Sequence, residues 1–447
     1  MKRTYIKGAT IVNEGRTFPG ALVIEGEYIA EVLGADDVPA KPCDVTIDAR
    51  GCYVLPGVID DHVHFRDPGL THKADVESES RAAAAGGVTS VMDMPNTKPQ
   101  TTTIETWEEK MKMFGEKCRV NYSCYFGATN DNVALFDRLD THRVCGVKLF
   151  MGSSTGNMLV DREDSLNAIF ANTELPIAVH CEDQTIIKEN SDKALTECGI
   201  DGDVPVEMHP EIRSEEACYK SSAMAVELAR KHGAQLHLLH VSTARELDLL
   251  SDAQLDGNKK ITAEACVAHL LFTADDYSRL GTRIKCNPAI KSEADRTALR
   301  KALKSGKIDV VATDHAPHLL SEKVGGALKA VSGMPMIQFS LISMLALTDE
   351  NVVSIEDVVE KMCHAPARLY EINQRGYLRS GYKADIAIVS HTPWTIAQSD
   401  IVSKCGWSPL EGAEMKWHVE RTFVNGTEVY ANGHVNDECR GEALSFR

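Results

Sequence analysis

Residues 57–65, GVIDDHVHF, open the run of sequence whose reading decides the fold. They follow a break at Leu55-Pro56-Gly57 and read as a strand with a polar end. From there to about residue 370, apolar strand-like runs alternate with helical periods, which predicts parallel strands joined by crossover helices. Seven more runs continue the pattern: VTSVMDMP (88–95), VNYSCYFGA (120–128), VCGVKLFM (144–151), PIAVHCED (176–183), QLHLLHVS (235–242), ITAEACVA (261–268) and DVVATDHA (309–316). Eight βα units in one stretch predict an α/β fold of the (β/α)8 TIM-barrel type.

Outside that stretch the pattern changes. Residues 4–12, 21–33 and 44–55 read as short strands, separated by turn residues such as Asn13-Glu14-Gly15 and Glu25-Gly26-Glu27. Residues 376–390 and 415–433 return to strands and turns. The expected organisation is one small β domain built from both chain termini (1–55 and 376–435), a barrel over 56–375 and a tail over 436–447. The apolar stretch Met334–Leu347 is too short to span a bilayer and reads as a core helix.

The 447 residues carry 48 Lys and Arg against 65 Asp and Glu, a formal charge of −17. Nucleic acid and anionic membranes are poor partners for such a surface, because both require basic patches. The 13 cysteines are odd in number and contain no C-x-x-C pair, which excludes zinc ribbons and thioredoxin-like motifs. Free cysteines without a signal peptide lead to a cytoplasmic expectation.

Chemistry-bearing residues cluster at strand ends. His62 and His64 are two apart, so a strand places both on one face, where two imidazoles can grip a divalent metal; a pair of polar residues at a strand end is the plainer reading. His180 ends PIAVH, His240 ends QLHLLH and Asp314 follows DVVAT. Catalytic groups of barrels sit at these C-terminal strand ends. Lys148, in GVKLFM, is a cation among them. It becomes sensible if its neutral amine has reacted with carbon dioxide to give a carbamate with two metal-bridging oxygens; otherwise it snorkels or pairs with an acid.

These residues resemble the amidohydrolase superfamily, and within it the dihydroorotases. The resemblance runs from about Gly51 to Val389. It rests on Asp61-His62-Val63-His64-Phe65-Arg66-Asp67-Pro68-Gly69, on Ala83-Ala84-Ala85-Gly86-Gly87-Val88-Thr89 with Met94-Pro95-Asn96-Thr97, and on His180-Cys181-Glu182-Asp183 and His240-Val241-Ser242-Thr243. Cys286-Asn287-Pro288 and Ala312-Thr313-Asp314-His315-Ala316-Pro317-His318 complete it. It implies a distorted barrel with a β-sandwich from both termini. It also implies a two-zinc site, with His62, His64 and Asp314 on one metal and His180 and His240 on the other. Carboxylated Lys148 and a hydroxide would bridge them. Phe150-Met151-Gly152-Ser153 stands where many dihydroorotases carry an acidic F-T-D-D-G segment, so Lys148 looks more like the bridging lysine of dihydropyrimidinases and of other dihydroorotases.

By the same resemblance, the hydroxide attacks a cyclic amide and Asp314 acts as general acid and base; run in reverse, carbamoyl aspartate closes to dihydroorotate in pyrimidine biosynthesis. Dihydroorotate carries a carboxylate, which calls for a guanidinium. Arg66, two residues after His64, is placed to reach the same pocket, although a surface pair with Asp67 would also use it. Asn96 and His318 would join it on the carboxylate, and Asn287 would contact the ring. The alternatives are a dihydropyrimidinase, hydantoinase or allantoinase, and a non-catalytic structural partner of aspartate transcarbamoylase. A homodimer is common among such relatives. Three other histidines are read differently: His237 as packed between barrel and helices, His269 as structural, and His315 as pointing away from the metals. The loop Gly325–Gly333 lies where relatives close over the substrate with backbone groups.

Overall fold

The structure is a computed structural model and describes residues 1–152 and 158–447. Ser153, noted above, lies outside the described residues. The N-terminal strands are β1 (Arg3–Asn13), β2 (Arg16–Glu25), β3 (Tyr28–Gly34), β4 (Val45–Asp48) and β5 (Cys52–Pro56). The barrel strands are β6 (Val58–Val63), β7 (Val88–Asp93), β8 (Asn121–Cys124), β9 (Phe126–Gly127), β10 (Val147–Phe150), β11 (Ile177–His180), β12 (Leu236–Leu238), β13 (Ile261–Cys266) and β14 (Val310–Ala312). Near the C-terminus come β15 (Ile386–Thr395), β16 (Glu414–Val424), β17 (Thr427–Ala431) and β18 (His434–Val435).

The barrel strands pair in parallel, as β6-β7-β8 and as β9 through β14 in sequence order. The two sheets meet at both edges. Only Tyr125 separates β8 from β9, and Val63 of β6 bridges His315 just beyond β14. With β8 and β9 taken as one, this is the expected eight-stranded distorted barrel.

Strand alternation sorts the side chains. Ile177, Val179, Leu236, Leu238, Ala263 and Ala265 face outward against helices such as Glu163–Ala171 and Glu215–His232. Ile59, Met92, Tyr125, Ala178 and Leu239 form a separate inner cluster with Tyr370, Leu444 and Phe446. Full burial of each such large apolar side chain stabilises by about 1.5–3 kcal/mol. The last residues therefore take part in the barrel: Ala443 bridges Tyr122, and Phe446 is fully buried.

Helix starts are encoded locally. Asp75 with Ser78, Thr103 with Thr106 and Ser292 with Asp295 form reciprocal capping boxes, each satisfying backbone donors that the helix leaves unpaired. Gly87 turns the helix Val76–Ala85 into β7 with φ 79°, where a side chain would meet Leu341 and Ala387. The apolar stretch Met334–Leu347 divides into a 3-10 turn at Ile337–Phe339 and the buried helix Ser340–Asp349.

Strands from both termini form one mixed sheet, ordered β18-β17-β16-β15-β5-β1-β2-β3, with β4 also on β1. β1 bulges against β2 between Ile6 and Ala9, and along its other edge its first half pairs with β4 and its second with β5. The sheet wraps its own small core of Ile6, Ile11, Leu22, Val54, Ile386 and Phe423.

A candidate metal centre beside an anion pocket

The C-terminal strand ends converge on a cavity of about 390 Å³. His62, His64, Lys148, His180, His240 and Asp314 line it, together with Arg66, Asn96, Asn287 and His318. All the side chains expected at the site are thus brought into one cavity. Three of them sit on left-handed backbone: Arg66 at φ 67°, His240 at φ 39° and Asp314 at φ 46°. Non-glycine residues held this way cost about 1–3 kcal/mol each and persist where surrounding structure over-determines them. For Arg66 this matters directly. Strand alternation ends at Val63, so a left-handed turn, not a shared strand face, aims its side chain into the pocket.

His62 and His64 present Nε2 at 3.3 and 3.1 Å from the same oxygen, Asp314 Oδ1. Their other nitrogens are already engaged. His62 Nδ1 lies 3.0 Å from Glu264 Oε1, and His64 Nδ1 lies 2.9 Å from Asn96 Oδ1. Both partners accept, so each Nδ1 carries a hydrogen and each Nε2 is left to face the carboxylate; burial works to lower the His62 pKa, but Glu264 and Asp314 outweigh it and raise it. Burial holds the His64 imidazole neutral, with its pKa lowered to about 4. Two imidazole nitrogens and a carboxylate oxygen converging on one point are a ligand set that fits a divalent cation. Burial works to raise the pKa of Asp314, but the facing His62 and His64 rings more than offset it and hold the carboxyl well below the usual range.

His180 and His240, the pair expected on a second metal, lie side by side in the same cavity. His180 Nδ1 is 2.9 Å from His240 Nε2, and His180 Nε2 is 2.9 Å from Glu182 Oε2, which also pairs with Arg213. Burial keeps both imidazoles below their ordinary pKa, in the neutral form that binds metals. Lys148 is 1% exposed, and burial lowers its amine to about 7, so the neutral form that a carbamate requires is accessible.

Glu264, which sequence reading missed, is tied into the candidate site. Besides His62, it accepts from the backbone N–H of His240 at 3.0 Å, so one buried carboxylate orients groups of both expected metal sites. A lone acid within the otherwise apolar run ITAEAC was the available signal. His237 also differs from expectation. It points into the barrel beneath the centre, with Nδ1 2.9 Å from Thr262 Oγ1 and Nε2 3.3 Å from Asp61 Oδ2. The count of three from His240 misleads because β12 stops at Leu238 and His240 leaves strand geometry. His269 lies 3.1 Å from the Pro288 carbonyl, and His315 is turned to Glu79 Oε2 at 2.8 Å, away from the centre.

Beside the metal candidates lies a cationic pocket. Arg66 is 4% exposed and donates to the Pro317 carbonyl at 3.1 Å, while its Nη2 approaches His318 Nε2 at 3.0 Å. Asp67 pairs with Lys117 instead, and among the described residues Arg66 has no carboxylate partner. Burial accordingly lowers its pKa to about 10. Lys73, which the sequence reading did not single out, also lines this pocket. Asn287 Oδ1 is buried without a hydrogen-bond partner among the described residues.

Val331, Ser332 and Gly333 form another wall of the pocket. Gly333 has φ 128°, and a side chain there would strike the Ala316 carbonyl and the His318 ring. Lys323, 3% exposed, fastens this wall by donating to the carbonyls of Lys285, Val331 and Gly333 at 3.0, 2.9 and 2.8 Å. Lys323→Met orphans the Val331 and Gly333 carbonyls at about 1–3 kcal/mol each, while the Lys285 carbonyl keeps the Gly333 N–H as its donor. The expected outcome is a KM raised about tenfold or more with a smaller fall in kcat, measured by steady-state kinetics. An unchanged KM in a folded variant would remove the wall from substrate binding.

The comparisons with known proteins agree with this geometry. The model of the amidohydrolase family matches residues 53–429. This chain belongs to that family. It is 31% identical to a dihydroorotase of Methanosarcina acetivorans, over 99% of this chain and 96% of the relative, and 35% identical to a dihydroorotase of Halobacterium salinarum, over 92% and 94%. An allantoinase of Bacillus velezensis is 30% identical over 96% and 94%. Among solved structures, the L-hydantoinase (dihydropyrimidinase) of Arthrobacter aurescens superposes with a TM-score of 0.91 at 28% identity, covering 98% of both chains. This amidohydrolase is therefore a hydrolase of cyclic amides, and its barrel and terminal sheet are those of the family. No helix among its described residues is long and apolar enough to cross a membrane.

Proposed function

We propose that this amidohydrolase interconverts dihydroorotate and N-carbamoyl-L-aspartate, the second being the substrate in pyrimidine biosynthesis. The observation that carries the reading is Arg66, a buried guanidinium in the cavity with no carboxylate partner among the described residues. A desolvated, unpaired cation is costly, and a substrate carboxylate relieves that cost. Neutral rings, such as hydantoins, dihydropyrimidines and allantoin, would leave Arg66 unpaired.

The residues divide the work by position. Arg66, Asn96 and His318 hold the substrate carboxylate at one end of the cavity, and Asn287 contacts the ring through its free carbonyl oxygen. That anchoring places the amide bond over Asp314. His62, His64 and Asp314 would hold one zinc ion, His180 and His240 a second, with carboxylated Lys148 between them. When bound, the metals supply an activated water and polarise the amide carbonyl. Asp314 takes a proton from the attacking water and returns it to the ring nitrogen as the C–N bond breaks. In the reverse direction it removes the proton from the carbamoyl nitrogen as that nitrogen bonds to the side-chain carboxylate carbon, and passes it to the departing oxygen, which leaves as hydroxide. Attraction of a doubly charged substrate to a chain of charge −17 is local, supplied by Arg66 and Lys73 in addition to the metals.

Purified, metal-replete protein should be assayed side by side on dihydroorotate, hydantoin, dihydrouracil and allantoin. Dihydroorotate turnover well above the other three is the expected outcome, with formation of dihydroorotate from carbamoyl aspartate in the reverse assay. Protein that turns over a neutral ring but neither of these anions would overturn the proposal.

A further inference from the structure

His318 stands between two groups that only donate. Lys73 Nζ lies 2.9 Å from its Nδ1, and Arg66 Nη2 lies 3.0 Å from its Nε2. Glu322 is also near, with Oε1 2.8 Å from Lys73 Nζ and Oε2 3.6 Å from His318 Nδ1, beyond hydrogen-bond reach. Burial first, and then the Arg66 and Lys73 charges, keep the imidazole neutral. A neutral imidazole has one N–H and one lone pair, so it can accept from only one of the two cations.

Lys73 is the donor tied down more firmly. It is 9% exposed and ion-paired to Glu322, and its ammonium has three hydrogens to place. Arg66 Nη2, in contrast, has no other hydrogen-bond partner among the described residues. When Nδ1 accepts from Lys73, the hydrogen of His318 must sit on Nε2. Then Nε2–H and Arg66 Nη2–H face each other, two donors lacking an acceptor. A carboxylate oxygen placed between them accepts from both.

We infer that Lys73 is a specificity-determining positioning residue: it holds His318 in the Nε2–H tautomer, so that His318 and Arg66 together form a donor pair that only an anionic group satisfies. The inference rests on the proposed reading of the substrate as a carboxylate. It gives Lys73 work at a distance, through His318, in a pocket that a single arginine would leave less selective.

The test uses the metal-loaded enzyme and the variants Lys73→Met and Lys73→Arg. With Lys73→Met, Nδ1 loses its donor and His318 is free to accept from Arg66 at Nε2, which masks both groups. KM for dihydroorotate should rise about ten- to hundredfold, the range of a hydrogen bond to a charged group, with a smaller change in kcat. Nitrogen-15 NMR of labelled histidine, with His318 assigned by its substitution, should show the unprotonated nitrogen move from Nδ1 to Nε2. Lys73→Arg keeps a donor and should recover most of the affinity. Metal content and thermal melting establish that each variant is folded and loaded.

A wild-type enzyme inactive on dihydroorotate would defeat the functional reading, and the NMR tautomer would still report on Lys73. An active wild type whose KM and His318 tautomer are unchanged in Lys73→Met would overturn the inference alone. Should Lys73→Met not fold, wild-type spectra showing hydrogen on Nδ1 would overturn it equally.

Discussion

Asp314→Asn is expected to lower kcat in both directions by roughly 10²–10⁴-fold, the usual contribution of a positioned general acid–base group. The substitution keeps size and one oxygen, so the contacts of Oδ1 with His62 and His64 can survive in geometry. What disappears is the capacity to take and return a proton. The wild-type carboxyl is held ionised because the His62 and His64 rings outweigh the effect of its burial, and an amide has no such state. Metal analysis of the purified variant is part of the measurement, since loss of a ligand charge also weakens a cation site. A variant that retains metal and runs within tenfold of wild type would show that another group moves the proton.

Arg66→Met is expected to lower kcat/KM for dihydroorotate by about 2–5 kcal/mol, or roughly thirty- to several-thousandfold, the cost of removing one side of a desolvated charged contact. Turnover of hydantoin or dihydrouracil, however small, should change little, because a neutral ring makes no use of the guanidinium. A second effect has the opposite sign. In the free enzyme Arg66 is a buried cation, on left-handed backbone, with no carboxylate partner among the described residues. Replacing the charge with an apolar side chain of similar length removes a desolvation cost, so the variant's melting temperature should be equal to or higher than that of wild type. Equal losses on charged and neutral substrates would mean that Arg66 supports the site's shape, not carboxylate recognition. A lower melting temperature would mean that a partner group already compensates its charge.

Both predictions concern residues legible in the sequence, and the reason is local. A period of two puts His62 and His64 together at a strand end, and the same logic marks Lys148, His180 and Asp314 at the ends of other strands. Where the local rule stops, so does legibility. His237 was assigned to the wrong face because counting by twos runs through a strand that ends at Leu238. Lys73 and Lys323 look like ordinary surface lysines in loop sequence, yet both are nearly buried beside the cavity. Glu264 shows no motif, and its importance is visible only from the two groups it holds.

The sequence alone determined the eight βα units, the return of both termini to a β domain and the kinds of side chain at the strand ends. Each is written in residues close together in the chain, where periodicity acts. Tertiary structure decided which nitrogen of each histidine faces the cavity, that Arg66 has no carboxylate partner among the described residues, and that His318 lies between two donors. Those facts depend on partners far apart in sequence, 202 residues for His62 with Glu264 and 252 for Arg66 with His318. Hydrogen-bond direction and charge compensation are properties of such pairs, so no local pattern encodes them.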